Sequence, residues 1–129
     1  MTQSSMEFDL DHAKEILTRT PAVLRAMLEG LSNDWSRNNE GPDTWSPYDV
    51  LGHLIHGERT DWLVRAELIL QHGATQPFTP FDRFAQFRES NGRSLADLLE
   101  EFEILRRQNL KTLEGWHLND DQLALEGMH

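Results

Sequence analysis

The sequence predicts an all-α protein, a helical bundle formed by one domain that spans residues 1–129. Apolar residues recur at three- and four-residue steps along three long segments, which is the pattern of amphipathic helices. Two of these segments begin with helix-capping residues, and no stretch of useful length shows the two-residue alternation of a strand. A chain of 129 residues buries enough surface for one core, and it has no cysteine to form a disulfide.

The first helix is predicted over about residues 9–30. Its apolar stripe includes Leu10, Leu17, Leu24 and Leu31. Pro21 removes one internal hydrogen bond, so the segment forms either a kinked helix or two short helices. We expect a kink, because the stripe keeps its phase across the proline. Gly30 and the polar residues after it end the helix.

The second helix is predicted over residues 47–71. Ser46 suits the N-cap, Pro47 the first helical position and Asp49 the first turn, while Gly73 ends the helix. The helix carries two apolar stripes, one formed by Leu51, Ile55, Trp62, Ala66 and Ile69, and the other by Val50, Leu54, Gly57, Val64 and Leu68. A helix with so wide an apolar surface needs several neighbours, from its own bundle or from another subunit.

Residues 73–93 are predicted to form a connector with interspersed phenylalanines, and residues 94–115 to form the third helix, capped by Ser94. The connector is long enough to carry the chain back along a helix. The second and third helices can therefore run parallel to each other.

Composition excludes several classes of function. The formal net charge is −10, which disfavours nucleic acid and anionic membranes as partners. No apolar run approaches the roughly 20 residues of a membrane span, and the N-terminus lacks the features of a signal peptide. We therefore expect a cytoplasmic protein. No phosphate-binding glycine motif, nucleophile elbow or zincin motif occurs, and the sequence identifies no catalytic residue.

His53 and His56 are the one local pair among six histidines. By helical geometry His53 faces inward and His56 faces water. Taken by itself, an inward histidine is more often a hydrogen-bonded core residue than a metal ligand. Glu58 falls within an apolar stripe, and we expect it to pair with Arg25 or Arg106, because buried carboxylates need partners.

The run Trp45-Ser46-Pro47-Tyr48-Asp49-Val50-Leu51-Gly52-His53-Leu54, followed by Gly57-Glu58, resembles the start of the second helix in DinB-like metalloproteins. The segment from Leu17 to Leu31 is similar to that family's first helix, and residues 123–129 are similar to its loop before the last helix. The resemblance implies a four-helix bundle in an up-down-down-up arrangement. It also implies a divalent metal, Zn or Ni for example, held by three histidines.

In the family pattern one metal ligand matches His53, and the other two form a His-x-x-x-His pair on the fourth helix. This sequence contains no His-x-x-x-His pair. We therefore expect an incomplete three-histidine site in a chain shorter than the whole protein. The fourth helix is either absent from the chain or supplied by a partner.

Two functional hypotheses follow from the resemblance and the surplus apolar surface. In the first, the protein is a metal-dependent enzyme of the thiol-dependent transferase, isomerase or hydrolase type. It acts on a small-molecule substrate in a pocket near Trp45 and Leu54. In the second, it is a non-catalytic interaction domain that forms a homodimer through its apolar face.

Overall fold

The computed structural model describes residues 7–128, and these residues form an all-α bundle. The α-helices are α1 (Leu10–Leu28), α2 (Asn33–Ser36), α3 (Pro47–Thr60), α4 (Trp62–His72), α5 (Ala85–Glu89), α6 (Leu95–Gly115) and α7 (Asp120–Leu123). A 3₁₀ turn, Gly73–Thr75, follows α4. None of the helices within the described range has the length and apolarity that crossing a membrane requires.

The helix ends follow the capping residues. Ser46 and Asp49 form a reciprocal capping box at the start of α3, and the Ser94 hydroxyl accepts a hydrogen bond from the Asp97 amide. Gly30, which has a φ of +80°, lies just beyond the end of α1, and Gly73, at +56°, caps α4. Helix α1 continues through Pro21 as one helix rather than two.

Instead of the single helix expected over residues 47–71, the chain forms α3 and α4, divided at Asp61. Asp61 has φ −110° and ψ −91°, outside the helical region. Next to it the Thr60 hydroxyl donates a hydrogen bond to the His56 carbonyl at 2.9 Å. A threonine hydroxyl that bonds to a carbonyl of the same helix competes with the backbone amide that would otherwise donate to it. Such local side-chain bonds weaken the helix.

Helix α6 is central to the bundle. It packs along α1 on one side and along α3 on the other, while α1 and α3 make little direct contact with each other. The shared core consists of Leu28, Tyr48, Leu51, Ile55, Leu98, Leu99 and Phe102. In a square of four helices this arrangement fills three positions. We call the fourth position, diagonal to α6 and between α1 and α3, the open corner.

A buried ion pair joins α3 to α6. The Arg106 Nε donates to Glu58 Oε1 at 2.6 Å, and both residues are less than 10% exposed. The expectation that Glu58 pairs with Arg25 or Arg106 is thus confirmed for Arg106. Arg25 instead pairs with Glu103 at 2.8 Å.

The same ion pair extends to α1. Proline has no amide hydrogen, so Pro21 leaves the Leu17 carbonyl without its usual helical donor. Arg106 Nη1 donates to that carbonyl at 2.9 Å. Asn109 adds a hydrogen bond to the Glu58 backbone carbonyl at 2.8 Å. One guanidinium therefore connects all three long helical segments.

Helix α5 lies against the first half of α3 because Gly52 leaves room for it. A Cβ at Gly52 would lie 2.5 Å from Ser90 Oγ and 3.2 Å from Gln86 Cβ. The Tyr48 hydroxyl reaches over the same contact, and its one hydrogen is shared between the backbone carbonyls of Ser90 and Arg93, both within hydrogen-bonding distance. These contacts hold the end of the connector beside α3.

We predict that Arg106→Ala lowers the free energy of unfolding by about 3–5 kcal/mol, because it leaves the Glu58 carboxylate buried without its partner. Urea denaturation measures the change. Arg107→Ala is the matched control, since Arg107 is the next residue, its side chain is 75% exposed, and it pairs with Glu103 at the surface. An exposed pair of this kind contributes about 0–1 kcal/mol. Equal losses in the two variants would contradict the assigned role of Arg106.

Candidate functional site

His53 lies in the middle of α3 between two aromatic rings. The centroid of its imidazole is 5.1 Å from the Trp45 ring and 5.1 Å from the Phe81 ring. Trp45 immediately precedes the Ser46 cap, and Phe81 lies in the connector between α4 and α5. The imidazole is half-buried as a result, with aromatic surface on two sides.

The local environment favours the neutral form of His53. Its Nδ1 atom is enclosed and has no hydrogen-bond partner within the described residues. Burial lowers the pKa of His53 below the ordinary 6.5, and the nearby His56 lowers it further, while the Asp61 carboxylate opposes both effects. A neutral imidazole has a free electron pair on one nitrogen. Because Nδ1 is enclosed, Nε2 is the nitrogen that remains for a ligand.

A cavity of about 460 Å³ lies beside His53. Its wall includes His53, Gly57, Trp62 and Phe81, together with two ion pairs. These pairs are Glu58 with Arg106 and Asp61 with Arg65, the latter at 2.8 Å between Asp61 Oδ1 and Arg65 Nε. The charged groups in the wall therefore neutralise one another.

A second, more apolar groove of about 630 Å³ lies in the open corner. Its apolar lining comes from α1, α2 and the start of α3, and consists of Leu24, Met27, Leu28, Trp35, Trp45, Pro47, Val50, Leu51 and Leu54. Leu54 lines both this groove and the cavity, and Trp45 contacts His53 from the groove side. His53 therefore lies where the two spaces adjoin. The sequence predicted a pocket near Trp45 and Leu54, and both residues line this groove.

The expectation that His56 faces water is wrong. His56 is buried, and its Nδ1 lies 3.1 Å from Glu89 Oε2 on α5. Helical geometry placed His56 on the polar side of α3, but α5 packs against that side. Arg59 continues the contact, since it pairs with Glu89 at 3.6 Å and also with Glu101 on α6.

The described residues do not by themselves form a complete metal site. Between residues 7 and 128, no group of three or more His, Asp or Glu side chains is arranged to hold a metal ion. His117 lines a different cavity, together with residues from the start of α1. His129 lies outside the described residues. Among the described residues, His53 therefore has no set of further metal-ligating side chains around it.

Sequence reasoning missed the role of Phe81 and the burial of His56. Phe81 comes from an irregular connector, where no periodicity indicates which side chain turns inward. Its ring also lies 5.1 Å from the His56 ring, so it contacts both histidines. The aromatic content of the connector was the one available indication, and it did not identify a particular phenylalanine.

Comparisons with known proteins agree with the fold. A sequence model of the DinB superfamily matches residues 16–129. The solved structure of YfiT from Bacillus subtilis, described as a probable metal-dependent hydrolase with an unusual four-helix bundle topology, aligns with a TM-score of 0.78 at 20% identity. The alignment covers 100% of this chain and 73% of YfiT. No curated protein matches the sequence.

We predict that the NMR titration midpoint of the His53 ring lies below 6.5, the ordinary value for histidine. The folded state then binds fewer protons at His53 than the unfolded state does. The contribution of His53 to stability is complete above pH 6.5 and is lost as the pH falls through the lower, folded-state pKa. His53→Gln should therefore lose less stability on acidification than the wild type. A midpoint at or above 6.5 would contradict the assigned environment.

Proposed function

The chain belongs to the DinB superfamily, and on that premise we propose that it is a metal-dependent enzyme of the hydrolase or thiol-dependent transferase or isomerase type. Its substrate is a small molecule that enters the cavity beside His53. The description of YfiT as a probable metal-dependent hydrolase supports the proposal.

The observation that carries the proposal is the state of the His53 imidazole. It is half-buried and favoured in its neutral form, its Nδ1 has no hydrogen-bond partner among residues 7–128, and it lines a cavity of about 460 Å³. A neutral imidazole is the form that binds Zn or Ni.

The remaining ligands come from outside residues 7–128 in this proposal. One imidazole alone binds zinc weakly, because tight sites use three or four protein ligands. The open corner adjoins His53, so a helix in that corner would carry its side chains next to the imidazole. His53 then supplies one ligand, and the incoming helix supplies the others.

Paramagnetic Co²⁺ tests the assignment of His53, because it broadens the NMR signals of a ligating histidine even when binding is weak. On titration of Co²⁺ into the chain, we expect the His53 ring signals to broaden first. His53→Ala should abolish this site. His72→Ala is the matched control, since His72 is an exposed histidine at the end of α4.

Two results would contradict the assignment. One is broadening centred on His12, His72 or His117 while the His53 signals remain sharp. The other is broadening that persists at the same site in His53→Ala. Either would show that His53 is a packed residue and not a ligand.

The open corner supports a second candidate function, a helical interaction domain that forms a homodimer. Its groove is largely apolar, and Trp35, on the wall of this groove, is 73% exposed. In a two-fold symmetric dimer the same surface of both copies meets, so the exposed Trp35 of each copy can pack into the groove of the other. The net charge of −10 opposes association, and salt screens that repulsion.

We predict that sedimentation equilibrium detects a dimer whose population rises with protein and salt concentration. Trp35→Lys should abolish it, because a lysine ammonium would be desolvated in the groove. Phe8→Lys is the matched control, since Phe8 is 72% exposed but lines a cavity away from the open corner. A chain that stays monomeric at all concentrations, or equal effects of the two variants, would contradict the homodimer.

A further inference from the structure

The connector that leads from the 3₁₀ turn into α5 is attached to the bundle at few points. Residues 76–84 include two prolines and form no helix. Most of their side chains are exposed, and the half-buried ones are Phe78 and Phe81. A segment with so little buried surface opens more readily than the helices on which it lies.

The two ends of this segment are held separately from its middle. At the first end, the Phe78 amide donates to the Met128 carbonyl at 3.0 Å. At the second end, Asp82 accepts a hydrogen bond from Arg88 at 3.0 Å. Between these attachments, Phe81 is the half-buried side chain that contacts the bundle.

Phe81 contacts both histidines of α3. Its ring centroid is 5.1 Å from that of His53, edge-on, and 5.1 Å from that of His56. It also lines the cavity of about 460 Å³. His56 is held in place by Glu89, so Phe81 rests against one fixed imidazole and covers the other.

We propose that residues 79–81 form a movable cover over the cavity beside His53, and that the Phe81 side chain holds this cover closed. When the Phe81 ring leaves its position between the two imidazoles, one side of His53 and one wall of the cavity become accessible. The attachments at Phe78 and Asp82 limit the movement to the residues between them. The proposal concerns access to His53 and holds whether or not the imidazole binds a metal.

Carbethoxylation by diethyl pyrocarbonate measures this access, because the reagent modifies accessible neutral imidazoles. The rate at His53 is determined by mass spectrometry of peptides, with the exposed His12 of the same sample as the internal reference. We expect Phe81→Ala to raise the relative rate at His53 by about tenfold, since it removes the apolar burial that keeps the cover closed. Phe81→Trp should restore slow modification.

Phe84→Ala is the matched control. Phe84 belongs to the same connector, but it is 55% exposed and stacks on Phe87 instead of a histidine. We expect the relative rate of carbethoxylation at His53 in Phe84→Ala to equal that in the wild type. An unchanged rate in Phe81→Ala, or an equal increase in Phe84→Ala, would overturn the proposal.

Hydrogen exchange of the wild-type chain gives an independent test that needs no variant to fold. The amides of residues 79 and 81 should exchange faster than those of α3, and the amides of α5 should keep their slow exchange when residues 79–81 open. Exchange of residues 79 and 81 at the same slow rate as α3 would show that the cover does not open separately, and would also overturn the proposal.

Discussion

The buried contact between Glu58 and Arg106 is the interaction on which the arrangement of the helices depends. Burial of two charges is costly unless every polar atom finds a partner. Here the guanidinium satisfies the carboxylate of α3 and the Leu17 carbonyl of α1, and its carbon atom lies 4.9 Å from the centre of the Phe102 ring. Pro21 makes the contact with α1 possible, because it has no amide hydrogen and so leaves the Leu17 carbonyl free to accept from Arg106. The carbonyl that lacks its helical hydrogen bond in α1 thus becomes the point at which α6 is attached.

This contact also determines the surroundings of His53. Glu58 lies five residues after His53 on α3, and with Arg106 it closes one wall of the cavity. Their mutual neutralisation leaves no net charge from this pair facing the imidazole. Burial is then the largest influence on the pKa of His53, and it favours the neutral ring. The contact between Glu58 and Arg106 therefore contributes both to the packing of the helices and to the surroundings that favour the neutral form of His53.

Local patterns predicted much of the fold. Apolar periodicity and capping residues indicated the long helices, because those features act within a few residues of each other. The apolar position of Glu58 also indicated a partner, either Arg25 or Arg106, since a buried carboxylate requires a cation. Asp61 was different: the apolar stripes continue across it, so periodicity could not show that the backbone leaves the helical region there. His56 was missed because its burial depends on α5, which lies more than 25 residues away in the chain.

In the proposed metal site, the missing ligands and the open corner would have one structural cause. On its α6 side, α3 is already engaged by the core, and the polar side chains Arg106 and Asn109 are bound to Glu58. Trp45 and Phe81 cover two sides of the imidazole with rings that cannot serve as ligands. Among residues 7–128, the sides of His53 that are left uncovered face the open corner and the adjoining cavity, and the proposed further donors would approach from there. No helix of the described range packs over the apolar stripes of α1 and α3 that border this corner. A single amphipathic helix in the open corner would bury those stripes and present its own side chains to His53. One helix would thus both complete the packing of α1 and α3 and supply the further ligands of the proposed metal site.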